Sequence, residues 1–245
     1  MLQVLSIVRR VDWLIFLSVA VLTGLGLLAI WSVDLARDPE FLNFQKQLAF
    51  AGIGGALTII FTLVDWRAWR SLARSLYLAG FILLVAVLII GTTIRGTRGW
   101  FGLGNFTFQP VELAKLLLLV ALAKYLAAKA HVVDFKVLVS SAALTLIYAG
   151  LVALQPDLGS AALLIALWLG FLCFTKIRKK HIAIFSLLAL VVAAGSWFFL
   201  LKDYQKGRVT SFLNPESDPF GRGYNIRQSV IAVGAGGILG RGLGE

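Results

Sequence analysis

Cysteine is almost absent from this chain of 245 residues. Cys173 stands alone, which excludes an internal disulfide framework and a cysteine-built metal cluster. It lies in the apolar stretch FLCFT, where a small buried packing residue is the simplest reading. Histidine is nearly as scarce: His131 and His181 sit unpaired in separate basic connections, and no metal is assigned to them. Charge is the third shortage. Only 14% of the residues are Asp, Glu, Lys or Arg, where a water-soluble domain carries about 25%. No Gly-x-x-x-x-Gly-Lys-Ser/Thr loop occurs, so there is no sign of a built-in nucleotide motor. The run GAGGILGRGLG does not supply a dinucleotide fingerprint either, because its spacing is wrong and no strand is expected before it.

What the chain has instead is apolar sequence: 59% hydrophobic residues and a mean hydropathy of +0.88. One soluble core cannot hide that excess, so the expected class is all-α, a polytopic integral membrane helical bundle. The net charge of +11 is divided among short connections rather than gathered on one domain, which argues against nucleic acid as a partner. Arg9 and Arg10 precede an apolar stretch of spanning length with no small-residue cleavage site after it, so it reads as a first span that is retained. Seven spans are predicted at 11–33, 45–65, 71–91, 110–128, 137–155, 157–175 and 181–201, in a single transmembrane domain over 1–245.

The connections set the orientation. Arg9 and Arg10, then Arg67, Arg70 and Arg74, then Lys124, Lys129 and Lys136, then Lys176, Arg178, Lys179 and Lys180 all fall on one side. By the positive-inside rule that side is cytoplasmic, which places the N-terminus inside and the polar stretch 202–245 in an outer loop. The less ordinary residues then gather at the outer surface.

Among them, FTFQPVELAKLLLLV (106–120) opens a span with polar residues. Pro110 suits the first helical position, which makes Gln109 the N-cap and puts Glu112 on the third helical residue. A carboxylate there meets the positive helix end, and this alone explains Glu112 as well as a catalytic role does. Lys115 lies on the same helix face, where facing lipid would be costly. An ion pair lining a polar cavity and a pair that only locks helix packing are both open readings. LQPDLGSAALL (154–164) repeats the pattern, with Gln155, a proline and Asp157 at another outward helix start. If adjacent, the two starts would line one pocket able to hold a divalent cation such as Mg or Mn, relay a proton or orient a hydroxyl. The preceding segment 92–109 reads as a glycine-rich loop in which Arg95 and Arg98, without an acidic partner, suit a diphosphate or are plain solvated charge. Trp100 and Phe101 suit the interfacial aromatic belt. Further on, the residues between Ile226 and Val233 suit a short interfacial helix.

Three blocks, GTRGWFGLGNFTFQPVELAKL, LQPDLGSA and FLNPESDPFGRGYNIRQSVIAVGAGGILGRGLG, resemble the signatures of the SEDS family (shape, elongation, division and sporulation). The NPESDP wording is nearer the rod-shape branch than the division branch. The resemblance implies a peptidoglycan glycosyltransferase that polymerises lipid II, an undecaprenyl-diphosphate-linked substrate, at the outer face of the bacterial cytoplasmic membrane. The implied partner is a class B penicillin-binding protein. On the residue reading above, Arg95, Arg98, Trp100, Gln109 and Gln155 are the candidates for substrate binding, with Glu112, Lys115 and Asp157 as candidates to support catalysis.

Such proteins have about ten spans, and their leading catalytic acid sits in a Thr-Asp-Phe-Ile/Val-Phe block that does not occur here. The chain is therefore expected to be an N-terminal portion and, by itself, inactive. Two other functions fit the same residues: a lipid II flippase and a non-catalytic scaffold.

Overall fold

The computed structural model describes residues 12–37, 40–94, 96–104, 106–129, 134–175, 203–217 and 223–237, with isolated positions from 180 to 198 and at 221, 240 and 242. The chain divides into two compact units, Asp65–Val191 and the pair of segments Met1–Val64 with Val192–Glu245.

In the second of these units, α1 (Trp13–Arg37) and α2 (Leu42–Leu63) pack as a helical hairpin. The turn is held by Asp34, which is buried and accepts bonds from the Asn43 side chain (3.0 Å) and the Phe44 backbone (2.8 Å). Buried carboxylates require such donors, and these make an acidic residue in the last turn of α1 the fastener of the hairpin.

The Asp65–Val191 unit begins with α3 (Trp66–Ile90), whose N-cap Asp65 accepts from the Arg67 backbone. Strands β1 (Thr92–Ile94), β2 (Thr97–Leu103) and β3 (Phe106–Phe108) follow, and then α4 (Pro110–Ala127), α5 (Phe135–Leu154) and α6 (Leu158–Cys173). Its core lies where α4 is sandwiched: Val111, Ala114, Leu118 and Leu122, three and four residues apart, form one buried stripe. Two polar locks join the helices. Tyr77 donates from its hydroxyl to the Leu144 carbonyl (3.0 Å) while Tyr148 donates to the Tyr77 carbonyl (2.5 Å). Trp168 Nε1 donates to Ser141 Oγ at 3.0 Å, tying α6 to α5.

Among the described residues four helices, α1, α2, α3 and α5, are long and apolar enough to cross a membrane. The fourth expected span coincides with α4, which carries Glu112, Lys115 and Lys124, and the sixth with the shorter α6. The seventh, 181–201, falls mainly outside the described residues. The all-α expectation holds for the bundle. The glycine-rich loop does not: β1, β2 and β3 form an antiparallel sheet in that order. Thr, Ile, Trp and Phe favour strands, and Gly96 (φ 83°) and Gly104 (φ 62°) supply the left-handed turns that reverse the chain. In the flanking segments α7 (Asp203–Leu213), the short 3-10 turn Pro215–Ser217 and α8 (Tyr224–Gly236) follow, and α8 contains the short helix expected over 226–233.

Candidate functional site

The polar site forms where α4 and α6 begin. Gln109 is the N-cap residue of α4 with Pro110 following it, but its side chain does not cap the helix. Its Nε2 instead donates to Asp157 Oδ2 at 3.3 Å. Asp157 is the N-cap of α6: Oδ1 accepts from the Ser160 backbone (3.0 Å) and Oδ2 from the Ser160 hydroxyl (2.7 Å). The two Gln-Pro-acid starts, 48 residues apart in sequence, are thus joined side chain to side chain. The helix-start reading of Asp157 is correct, and the same carboxylate is also the joint.

Glu112, in the first turn of α4, accepts from Lys115 Nζ at 2.8 Å. The lysine side chain is 20% exposed and the carboxylate 60%, so the cation is the shielded partner and the anion faces out. A pair with one side this open contributes about 1 kcal/mol or less, too little to be the reason α4 folds.

Gln155 is buried at 1% exposure beneath β2, and its Nε2 finds no partner among the described residues. Gly99 lets the strand close over it, since a Cβ there would stand 2.9 Å from Gln155 Oε1. A buried unmet donor costs about 1–3 kcal/mol, which a polar group arriving at this spot would recover. Trp100 lies next to Gly99 on β2, half-buried, with its carbonyl accepting from Thr92 Oγ1 at 3.1 Å.

Arg98 is placed otherwise than as free loop charge. Nη2 donates to the Ile89 carbonyl (2.8 Å) and Nε to that of Gly91 (3.2 Å), so the guanidinium caps the C-terminal end of α3. A cation there satisfies carbonyls that have no intrahelical donor. Arg98→Ala is expected to cost about 0.3–1 kcal/mol, seen as a lower unfolding temperature. A rise in KM without that loss would instead assign the guanidinium to substrate. Arg95 lies outside the described residues. Sequence inspection passed over Ser160 and Gly99. Asp-x-x-Ser at a helix start was a legible capping signal; nothing local marked Gly99.

At the opposite end of this unit, Lys124 Nζ reaches the Ser71 carbonyl (3.5 Å), which brings the C-terminal end of α4 beside Arg70 and Arg74 of α3. Long apolar helices, a basic end and a polar joint at the other end define a multi-pass helical membrane protein. The chain belongs to the family described as "Cell cycle protein", whose FtsW, RodA and SpoVE branches give it its label and which matches residues 12–245. This is the SEDS family that the three sequence blocks resemble.

Among its relatives, stage V sporulation protein E of Bacillus subtilis is 34% identical over 96% of this chain and 66% of its own length. The probable peptidoglycan glycosyltransferase FtsW of Tolumonas auensis is 35% identical over 91% of this chain and 59% of its own. The peptidoglycan glycosyltransferase MrdB of Escherichia coli is 34% identical over 88% and 57%. The chain therefore spans roughly three-fifths of the length of these relatives. Of solved structures, one described as "Structural coordination of polymerization and crosslinking by a peptidoglycan synthase complex" superposes with a TM-score of 0.77 at 37% identity, covering 94% of this chain and 67% of that one. Thermus thermophilus RodA gives a TM-score of 0.59 at 34% identity, covering 74% of this chain and 60% of that one.

Proposed function

We propose that the full-length protein is a peptidoglycan glycosyltransferase that polymerises lipid II at the outer face of the cytoplasmic membrane during elongation of rod-shaped cells. Family membership supports the reaction class. The observation that carries the site is the Gln109–Asp157 bond, which gathers two polar helix starts beside the Glu112–Lys115 pair. The NPESDP wording of 214–219 supports the elongation branch.

In that reaction a sugar hydroxyl of one substrate attacks the anomeric carbon of another. A diphosphate on the lipid carrier leaves, and the hydroxyl proton passes to a base. The activated diphosphate supplies the drive, so no cytoplasmic fuel site is needed. Here the protein's tasks are to hold the anionic leaving group and to orient the hydroxyl. Lys115, the shielded cation of its pair, suits the first task. The exposed carboxylate of Glu112 suits the second.

A divalent cation, Mg or Mn, is the proposed assistant. Among the described residues no three carboxylate, His or Cys groups converge to hold one. The exposed Glu112 carboxylate would hold such an ion, which would supply charge neutralisation to the leaving diphosphate. A class B penicillin-binding protein is the proposed partner, linking the new strands. The structure described as a synthase complex supports that pairing.

The test separates polymerase from flippase. Full-length protein in sealed liposomes receives labelled lipid II, its partner, and moenomycin to silence class A polymerases. Glycan strands are expected. Transbilayer movement of intact lipid II without strands would replace the proposal by transport, and neither activity would leave a scaffold.

A further inference from the structure

The end of the bundle away from the polar joint has two grooves between α3 and α4. One, of about 430 Å³, also reaches α5 and is lined by Arg74, Tyr77, Lys124, Tyr125 and Leu144 among others. The second, of about 290 Å³, is lined by Trp66, Trp69, Arg70, Ala123 and Lys124 among others. Lys124 belongs to both and is partly shielded between the helices. Arg70 and Arg74 stand one turn apart on α3, on the same face. The ion pairs of this unit among the described residues are Arg67–Asp65 and Lys115–Glu112, so Arg70, Arg74 and Lys124 meet no carboxylate there.

Three uncompensated cations thus converge where two apolar grooves meet. The aromatic residues Trp66, Trp69 and Tyr125 mark the depth at which water gives way to hydrocarbon. Tyr77 lies eleven residues beyond Trp66, about 16 Å along the helix at 1.5 Å per residue, so the walls extend well into the apolar layer. Cations at such a boundary must snorkel or meet an anion. The ligand that brings a phosphate to that depth with hydrocarbon chains attached is a phospholipid. Basic pockets between spanning helices are suited to anionic headgroups.

We propose that Arg70, Arg74 and Lys124 bind the phosphodiester of an anionic phospholipid, whose acyl chains lie in the two grooves that meet at Lys124. The site is independent of the polymerisation reaction and sits at the other end of the helices. Its consequence is a bundle whose α3–α4 contact is reinforced only in membranes that contain such a lipid.

Tryptophan fluorescence of the full-length protein in nanodiscs tests the site, with phosphatidylglycerol or phosphatidylcholine brominated in the acyl chain as quencher. Trp66→Phe/Trp69→Phe protein supplies the background. Brominated phosphatidylglycerol is expected to quench the two groove tryptophans more strongly at equal mole fraction. Lys124→Gln should lower that preference about fivefold, the equivalent of the roughly 1 kcal/mol carried by one cation near an anionic surface. Lys124→Arg should keep it. Millimolar inorganic phosphate should leave the preference unchanged, because the chains hold the headgroup in place. Equal quenching by both lipids in the unmutated protein would overturn the proposal, a result that depends on no variant folding. Preference that survives Lys124→Gln in full, or that free phosphate abolishes, would overturn it as well.

Discussion

Asp157→Ala is expected to slow lipid II polymerisation by the full-length protein about a hundredfold, the usual scale when reacting groups are displaced by about 1 Å. The carboxylate accepts three hydrogen bonds, two from Ser160 and one from Gln109. Removing it strips α6 of its cap and separates the starts of α4 and α6. Loss of a cap costs about 1 kcal/mol, small beside a typical total of about 5–15, so the variant should still insert and fold. Asp157→Asn keeps an acceptor for the Ser160 backbone and should restore the unfolding temperature. Its activity should recover only in part, because a neutral amide holds Gln109 less firmly than a carboxylate does. Rates and thermal unfolding measured together on both variants check this. A normal rate in Asp157→Ala would reduce the residue to a helix cap.

Gly80→Ala is the second large effect, on stability rather than rate. Gly80 is buried in α3, and a methyl group built there falls inside contact distance of the Tyr148 hydroxyl. That tyrosine has nowhere to go. It is 0% exposed, stacked on Tyr77 with ring centroids 4.8 Å apart, and bonded to the Tyr77 carbonyl. Overpacking costs about 1–3 kcal/mol, and an interhelical hydrogen bond in a membrane contributes about 0.6–2 kcal/mol. A loss of about 2–4 kcal/mol follows from the two together. Adding Tyr148→Phe removes the obstructing oxygen, so the double variant should be more stable than Gly80→Ala alone, a coupling that a double-mutant cycle reads directly. Unchanged unfolding of Gly80→Ala would show that the helices do not meet this closely.

Apolar runs of spanning length showed where six helices lie, because hydrophobic length is a local property of the chain. The Gln-Pro-acid starts were equally visible, and their repetition pointed to a shared pocket. Their direct contact through Gln109 and Asp157 was not legible, since it depends on how α4 and α6 pack. Arg98 shows the limit from the other side. A guanidinium without a nearby acid reads as free for a diphosphate, but backbone carbonyls at Ile89 and Gly91 leave no trace in side-chain identity. The sheet of β1, β2 and β3 was hidden by its glycines, which weaken strand propensity while making the turns possible. Gly80 and Tyr148 likewise lie 68 positions apart, and only packing reveals that one makes room for the other.

The most direct measurement is the glycan product formed from lipid II by full-length wild-type and Asp157→Ala proteins, side by side, with the penicillin-binding partner and moenomycin. The account predicts long strands from the wild type and about a hundredfold fewer from the folded variant. No strands from the wild type, or equal strands from both, would contradict it.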